Sequence, residues 1–276
     1  MATRASALHD GRNNDTAQCT SQCVCQPMVL DLDRIRGPQP VDVRLIPCLP
    51  CIGCPPQVRC AATVQMVKDT MSSRTAHWDS VYTTKSARDR SWTEDVPEES
   101  LRFIERAAVA VDDAIIDIGG GASFLVDSLL ESGYRDVTVL DIAETALTET
   151  CERIAHSQSS SKVSFICADI TQWKPEKTYA LWHDRAVFHF LTDKNDQTTY
   201  VALASASVKP GGHVLLATFA PHGPESCSGL PVQRWSVEEL AQLFADSFTL
   251  VESTTATHVT PWGGEQPFTW VLLRRK

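Results

Sequence analysis

The sequence predicts an α/β protein: a doubly wound, seven-stranded, mostly parallel sheet that ends in an antiparallel hairpin. Three observations carry this expectation. From about residue 71 onward, strand-like apolar runs alternate with amphipathic helical runs. The run AIIDI, ending at Ile118, leads straight into Gly119, Gly120 and Gly121 and then into a helical stretch. The last two strand-like runs, FTLVES and FTWVLL, have no helix between them, so they pair as a hairpin rather than through a crossover.

Each element has a local reason. PEESLRFIERAAVAV opens with Pro97 and two acids suited to the positive end of a helix, and sets Leu101, Ile104, Ala108 and Val111 on one face. After the glycines comes a helical SFLVDSLLES closed by Gly133, then the strand VTVLD ending at Asp141. A helix follows in which Leu147, Cys151 and Ile154 share a face, then the strands VSFIC and TYALWHD. A helix around Tyr200 to Val208 halts at KPGG, and the strand HVLLATF follows. Ser236 with Glu239 three residues on is a capping-box signature for a helix carrying Leu240, Leu243 and Phe244.

The chain has 276 residues, 43% of them hydrophobic, which suffices for one full core. Its formal charge of −9, with no basic run, argues against a nucleic-acid footprint. No apolar run reaches the roughly 18 residues that span a bilayer, and none resembles an export signal. The reading is a cytoplasmic protein without a nucleic-acid or membrane partner. Seven of the ten cysteines precede residue 61, in a segment (1–70) without helical or strand periodicity. Residues 1–70 therefore read as a cysteine-rich tail without a packed core, or as an extension upstream of a start at Met66 or Met71, and 71–276 as the folded domain. Cys48, Cys51 and Cys54, with Cys60 as a fourth thiolate, leave a small zinc site as the alternative.

In a doubly wound sheet, ligands lie beyond the carboxyl ends of the strands, where backbone N–H groups and a helix N-terminus converge. A dinucleotide fingerprint aligned on Gly119 and Gly121 needs glycine or alanine at 124, and the chain has Phe124. The pattern present is Asp117, Gly119, Gly121, an acid two residues ahead of G-x-G. It resembles motif I of the class I S-adenosylmethionine-dependent methyltransferases, with Ser123 where the usual third glycine stands. Asp141 at the next strand tip suits a pair of ribose hydroxyls. Asp169 in CADI matches the family's acid near the adenine amino group, with Ile170 beside it.

LWHDRAVFHFL and VKPGGHVLLATF resemble further segments of the same superfamily, so the resemblance covers about residues 76–276 and implies a Rossmann-like fold. HWDSVYTTK, the pair Ser91–Trp92, GPESCSGLPVQRW and TPWGGEQPFTW resemble a group of small bacterial methyltransferases. Similar W-D-x-x-Y segments occur in thiopurine-type and elongation-factor lysine methyltransferases. The resemblance implies S-adenosylmethionine as cofactor, held by Asp117, Gly119, Gly120, Gly121, Asp141, Ile142, Asp169 and Ile170, by the backbone at His183, and under a lid of Trp78 and Tyr82. No metal is required, because the sulfonium methyl is already electrophilic.

His183, Asp184 and His189 are candidates for proton acceptance or acceptor positioning, with Asp184 and Arg185 expected at the mouth of the site. The alternative is a structural Asp184–Arg185 pair and a core histidine at 189. The loop from Pro221 to Arg234 is long for a plain connection and is expected to line the acceptor pocket with His222, Cys227 and Arg234. The expected activity is methyl transfer from S-adenosylmethionine to a small-molecule acceptor by in-line displacement. Protein lysine methylation, a non-catalytic S-adenosylmethionine-binding regulator and a nicotinamide oxidoreductase are the alternatives.

Overall fold

The computed structural model describes residues 64–66, 73–155 and 162–276. The tail reading and its zinc alternative fall almost wholly outside them. Eight strands form one sheet in the order β1-β4-β3-β2-β5-β6-β10-β9. The five central strands are β4 (Val163–Cys167), β3 (Val137–Asp141), β2 (Ile115–Ile118), β5 (Tyr179–Arg185) and β6 (Val208–Phe219). They are parallel, and the short β1 (Val64–Met66) extends them beside β4. β10 (Glu265–Arg275) runs antiparallel to β6, and β9 (Phe248–Val259) antiparallel to β10. All seven expected strands are thus present, with β1 added inside the stretch that reads as tail.

Strand alternation splits the core in two. Ile115, Val137, Val139, Leu181, Leu215 and Trp270 face helices α2 (Glu98–Ala107), α3 (Leu125–Glu131) and α4 (Glu144–Ile154). Ile116, Leu140, Trp182, Val214, Leu216 and Val271 face α5 (Lys194–Ser207) and α6 (Val237–Leu243). Both faces are buried, as a parallel sheet requires.

Local chemistry sets the helix ends. The Ser236 hydroxyl accepts from the Glu239 N–H at 3.2 Å while the Glu239 carboxylate accepts from the Ser236 N–H at 2.8 Å, the expected capping box. Asp193 caps α5 by accepting from the Asn195 N–H at 2.8 Å. At α2 the structure corrects the expected face. The helix ends at Ala107, Ala108 turns left-handed at φ 50°, and the buried residues are Ser100, Phe103, Ile104 and Ala107. Val111 is exposed beyond the helix. KPGG does halt α5, but its backbone is already part of β6.

Among the described residues, no helix is long and apolar enough to cross a membrane, and no group of three or more histidine, cysteine or acidic side chains could hold a metal ion.

Candidate active site

The strand order reverses between β2 and β5, and the pocket opens beyond the carboxyl ends of β2, β3, β4 and β5. Its floor is the glycine turn. Gly119 adopts φ 67°, and a Cβ on it would stand 2.0 Å from Val187 Cγ2. Gly121 adopts φ 33°, and a Cβ there would meet the Asp141 carboxylate at 2.6 Å and the Tyr82 hydroxyl at 2.9 Å. Both positions exclude a side chain for want of space as well as for backbone strain. Phe124, where the dinucleotide fingerprint needs a small residue, lies under the Arg153 guanidinium, 4.4 Å from the ring centre.

Asp117 lies beneath this turn rather than in the pocket. Its Oδ1 is 2.7 Å from His183 Nδ1, and His183 Nε2 is 2.9 Å from the hydroxyl of Ser100 on α2. All three side chains are buried. A buried carboxylate needs a hydrogen-bonded partner, and His183, its register neighbour on β5, supplies one.

Asp141 ends β3 and lines the pocket. Its Oδ1 accepts from the Ala143 N–H at 2.8 Å, and burial pushes its carboxyl up to about 7. Asp169, past β4, accepts from the N–H and hydroxyl of Thr171 at 2.9 and 2.8 Å. Ile142, Ala168 and Ile170 line the apolar slot between these two acids.

Helix α1 (Ser73–Thr84) closes the pocket from above. Trp78 packs edge-to-face on Trp92 and Phe190, with ring centres 6.0 and 5.0 Å apart. The Tyr82 hydroxyl reaches the glycine turn beside Asp141, and burial raises it far above the usual phenol range. The expected aromatic lid residues do line the pocket, joined by Trp92 and Phe190.

The proton-handling candidates are placed differently. His183 and Asp184 sit on opposite faces of β5, so neither side chain reaches the pocket. Asp184 is fully buried; it accepts from the Val187 and Phe188 N–H groups at 2.9 and 3.2 Å and from the Tyr200 hydroxyl. Burial still pushes it up to about 6. These bonds close the turn in which Ala186 takes φ 73°, and that strained turn presses Val187 against Gly119. His189 is a core histidine between Phe190 and Phe219, lowered to about 3 by burial. Arg185 does not pair with Asp184. It lines the pocket and donates to the Trp92 carbonyl at 2.6 Å.

Of the loop candidates, only Cys227 lines the pocket. It is buried on a two-residue hairpin of β7 (Ser226–Cys227) and β8 (Leu230–Pro231), and burial raises its thiol. Arg234 turns back into its own loop, donating to the Gly223 carbonyl at 3.3 Å and to Glu225 at 3.0 Å. His222 is exposed outside the pocket. No spacing in the sequence marks Arg74, Phe190, Leu191, Glu94 or His258, and Trp92 stands out there only as part of the Ser91–Trp92 pair. Arg74 and Trp92 line the pocket, and Glu94 and His258 anchor the segment that carries Trp92.

With this geometry in place, the chain can be compared with known proteins. The family described as "Methyltransferase domain" matches residues 115–212, from β2 into β6. Malonyl-[acyl-carrier protein] O-methyltransferase 2 of Ilyobacter polytropus is 26% identical over 106 residues, 38% of this chain and 39% of the relative, so the chain spans about two fifths of that protein. EEF1A lysine methyltransferase 2 of Homo sapiens is 22% identical over 190 residues, 64% of this chain and 74% of the relative. The Burkholderia thailandensis 1,6-didemethyltoxoflavin-N1-methyltransferase, with bound 1,6-didemethyltoxoflavin and S-adenosylhomocysteine, superposes with TM-score 0.57 at 20% identity, covering 76% of this chain and 93% of the other. A structure described as the conversion of a disulfide bond into a thioacetal group during echinomycin biosynthesis gives TM-score 0.58 at 19% identity, covering 73% and 93%. The fold is that of the class I methyltransferases, and the matched segment is the one that builds the glycine turn and both acidic strand tips.

Proposed function

We propose that the protein transfers a methyl group from S-adenosylmethionine to a small-molecule acceptor. The observation that carries the reading is Asp141: a buried strand-tip carboxylate beside a backbone stripped of side chains, in a pocket roofed by aromatic rings. The residues present fit the donor. Asp141 accepts from the ribose hydroxyls, Ile142 and Ile170 sandwich the adenine near Asp169, and the Gly119–Gly121 backbone leaves room for the amino-acid arm.

S-adenosylmethionine supplies a methyl carbon made electrophilic by its sulfonium. The chain's task is to orient the two reactants and exclude water. Trp78, Tyr82, Trp92 and Phe190 form the lid that does so, and the tight turn at Ala186 holds Val187 against the floor. His183 and Asp184 act in this reading as positioning residues, through the glycine turn and the Val187 turn respectively.

A protein lysine acceptor is disfavoured by the pocket's charges. A lysine ammonium calls for carboxylates near the methyl, but the acids lining the pocket, Asp141 and Asp169, lie at the adenosine end. The end near Trp92, Arg185 and Cys227 carries a guanidinium instead.

The test has two stages. Calorimetric titration with S-adenosylhomocysteine and with reduced nicotinamide dinucleotide should show binding of the former alone. Labelled methyl incubated with a cell extract should then appear in the small-molecule fraction, in an enzyme-dependent way. Label in protein would move the acceptor to lysine, and binding without transfer would favour a regulator that holds the donor and does no chemistry.

A further inference from the structure

Four charged side chains line the pocket: Arg74, Asp141, Asp169 and Arg185. At its donor end stand Asp141 and Asp169, with the Arg74 guanidinium 3.9 Å from the Asp169 carboxylate. At the opposite end the charged group in the lining is Arg185.

Arg185 is the central group. Its side chain is 11% exposed and lines the pocket. Nη2 donates to the Trp92 carbonyl at 2.6 Å, but Nη1 is buried with no hydrogen-bond partner among the described residues. The nearest acid, Glu94, stands 3.5 Å from Nη1 and is already engaged, its Oε1 lying 2.9 Å from His258 Nδ1. His258 Nε2 lies 2.5 Å from the Ser91 carbonyl. His258 therefore bridges the Glu94 carboxylate and the Ser91 backbone. One carboxylate is thus shared by a guanidinium and an imidazole. Burial pushes the Glu94 carboxyl up, but His258 and Arg185 outweigh it and hold the group below the usual range, so Glu94 stays ionised and committed.

Arg185 is fixed at the pocket wall by the Trp92 carbonyl and by Glu94, and a ligand carboxylate at that wall gains a charge-assisted contact with the guanidinium. The rest of this end is flat and apolar, walled by Trp78, Trp92 and Phe190. On the reading of the site given above, we propose that the methyl acceptor is an anionic aromatic small molecule, its ring laid against the wall that Trp78, Trp92 and Phe190 form and its carboxylate or other ionised oxygen drawn to the Arg185 guanidinium that lines the pocket.

The probes are 2-naphthoate and its uncharged isostere 2-naphthamide, titrated calorimetrically into protein saturated with S-adenosylhomocysteine. The acid should bind about tenfold more tightly than the amide, as a charge-assisted contact predicts. Arg185→Met should abolish that preference and Arg185→Lys should retain part of it, each variant still binding S-adenosylhomocysteine and melting cooperatively. Equal affinity for acid and amide in the unaltered protein, or binding of neither, overturns the proposal and needs no variant. A preference that survives Arg185→Met also overturns it. Failure to bind S-adenosylhomocysteine in the first place is a separate result, which removes the donor reading and this inference with it.

Discussion

Asp117 and His183 face one another across the neighbouring parallel strands β2 and β5, with Oδ1 and Nδ1 2.7 Å apart and both side chains shut off from solvent. The pair is continued to Ser100, so helix α2 is hydrogen-bonded through β5 to the carboxylate beneath the glycine turn. A Cβ on Gly120 would lie 2.5 Å from the second Asp117 oxygen, which shows how closely the carboxylate supports the turn. Removing one partner of a buried pair strands the other, so His183→Leu should lower stability by about 3–5 kcal/mol. Ser100→Ala, which leaves the pair intact and strands only a ring nitrogen, should lower it by about 1–2 kcal/mol. Denaturant unfolding of both variants checks the order, and equal effects would mean that the chain of contacts is not anchored at Asp117.

Tyr200 links two buried groups, accepting from Trp182 Nε1 at 2.8 Å and donating to Asp184. Tyr200→Phe should lower stability by about 3 kcal/mol, because both neighbours lose a partner. The loss should depend on pH. Asp184 is raised to about 6, so its contribution is fully present below the ordinary carboxylate range and is lost as pH rises through about 6. Without the Tyr200 donor the carboxylate is raised further, and the deficit against the unaltered protein should grow between about pH 5 and 8. A deficit independent of pH would assign the effect to packing alone.

The strand tips were legible because each is a local event. A short apolar run ends in glycine or an acid, and Asp141 and Asp169 stand where the chain leaves the sheet. The contacts that finish the site are not local. Glu94, Arg185 and His258 meet across a lid segment, a central strand and the C-terminal hairpin, and no spacing in the sequence announces them. In HDRAVFHF the buried placement of the side chains has a physical cause. Position after a strand suggested a pocket, but strand alternation sends His183 to the α2 face and Asp184 to the α5 face. The face of α2 was misplaced because AAVAV continues the apolar spacing past Ala107, where a left-handed Ala108 ends the helix.

Gly119→Ala should weaken S-adenosylhomocysteine binding at least about tenfold, for two separable reasons. The new methyl would stand 2.0 Å from Val187 Cγ2, and the backbone at φ 67° disfavours any Cβ by about 1–2 kcal/mol. Val187→Ala added to Gly119→Ala removes the contact but not the backbone strain. The double variant should therefore recover part of the lost affinity in a calorimetric titration. Full recovery would mean that the left-handed turn has no cost in the bound state, and no recovery would place the defect in the turn itself.

Asp141 gives the sharpest pH test of the donor site. Its carboxyl is raised to about 7 by burial, so in the ligand-free protein its contribution to stability is fully present below the ordinary carboxylate range and is lost as pH rises through about 7. Ribose hydroxyls donate best to the ionised form, so donor binding pulls the other way. The affinity for S-adenosylhomocysteine should rise between about pH 6 and 8 while the stability of the free protein falls over the same interval. Asp141→Asn removes this titrating group and should flatten the affinity profile and make the fall in stability shallower, leaving the part that Asp184 contributes, with affinity at pH 8 reduced by about tenfold or more, the loss of a charge-assisted contact. If the affinity of Asp141→Asn still rises through pH 7, the ribose is held by another group, and Asp141 serves only to brace Ala143 and the turn above it.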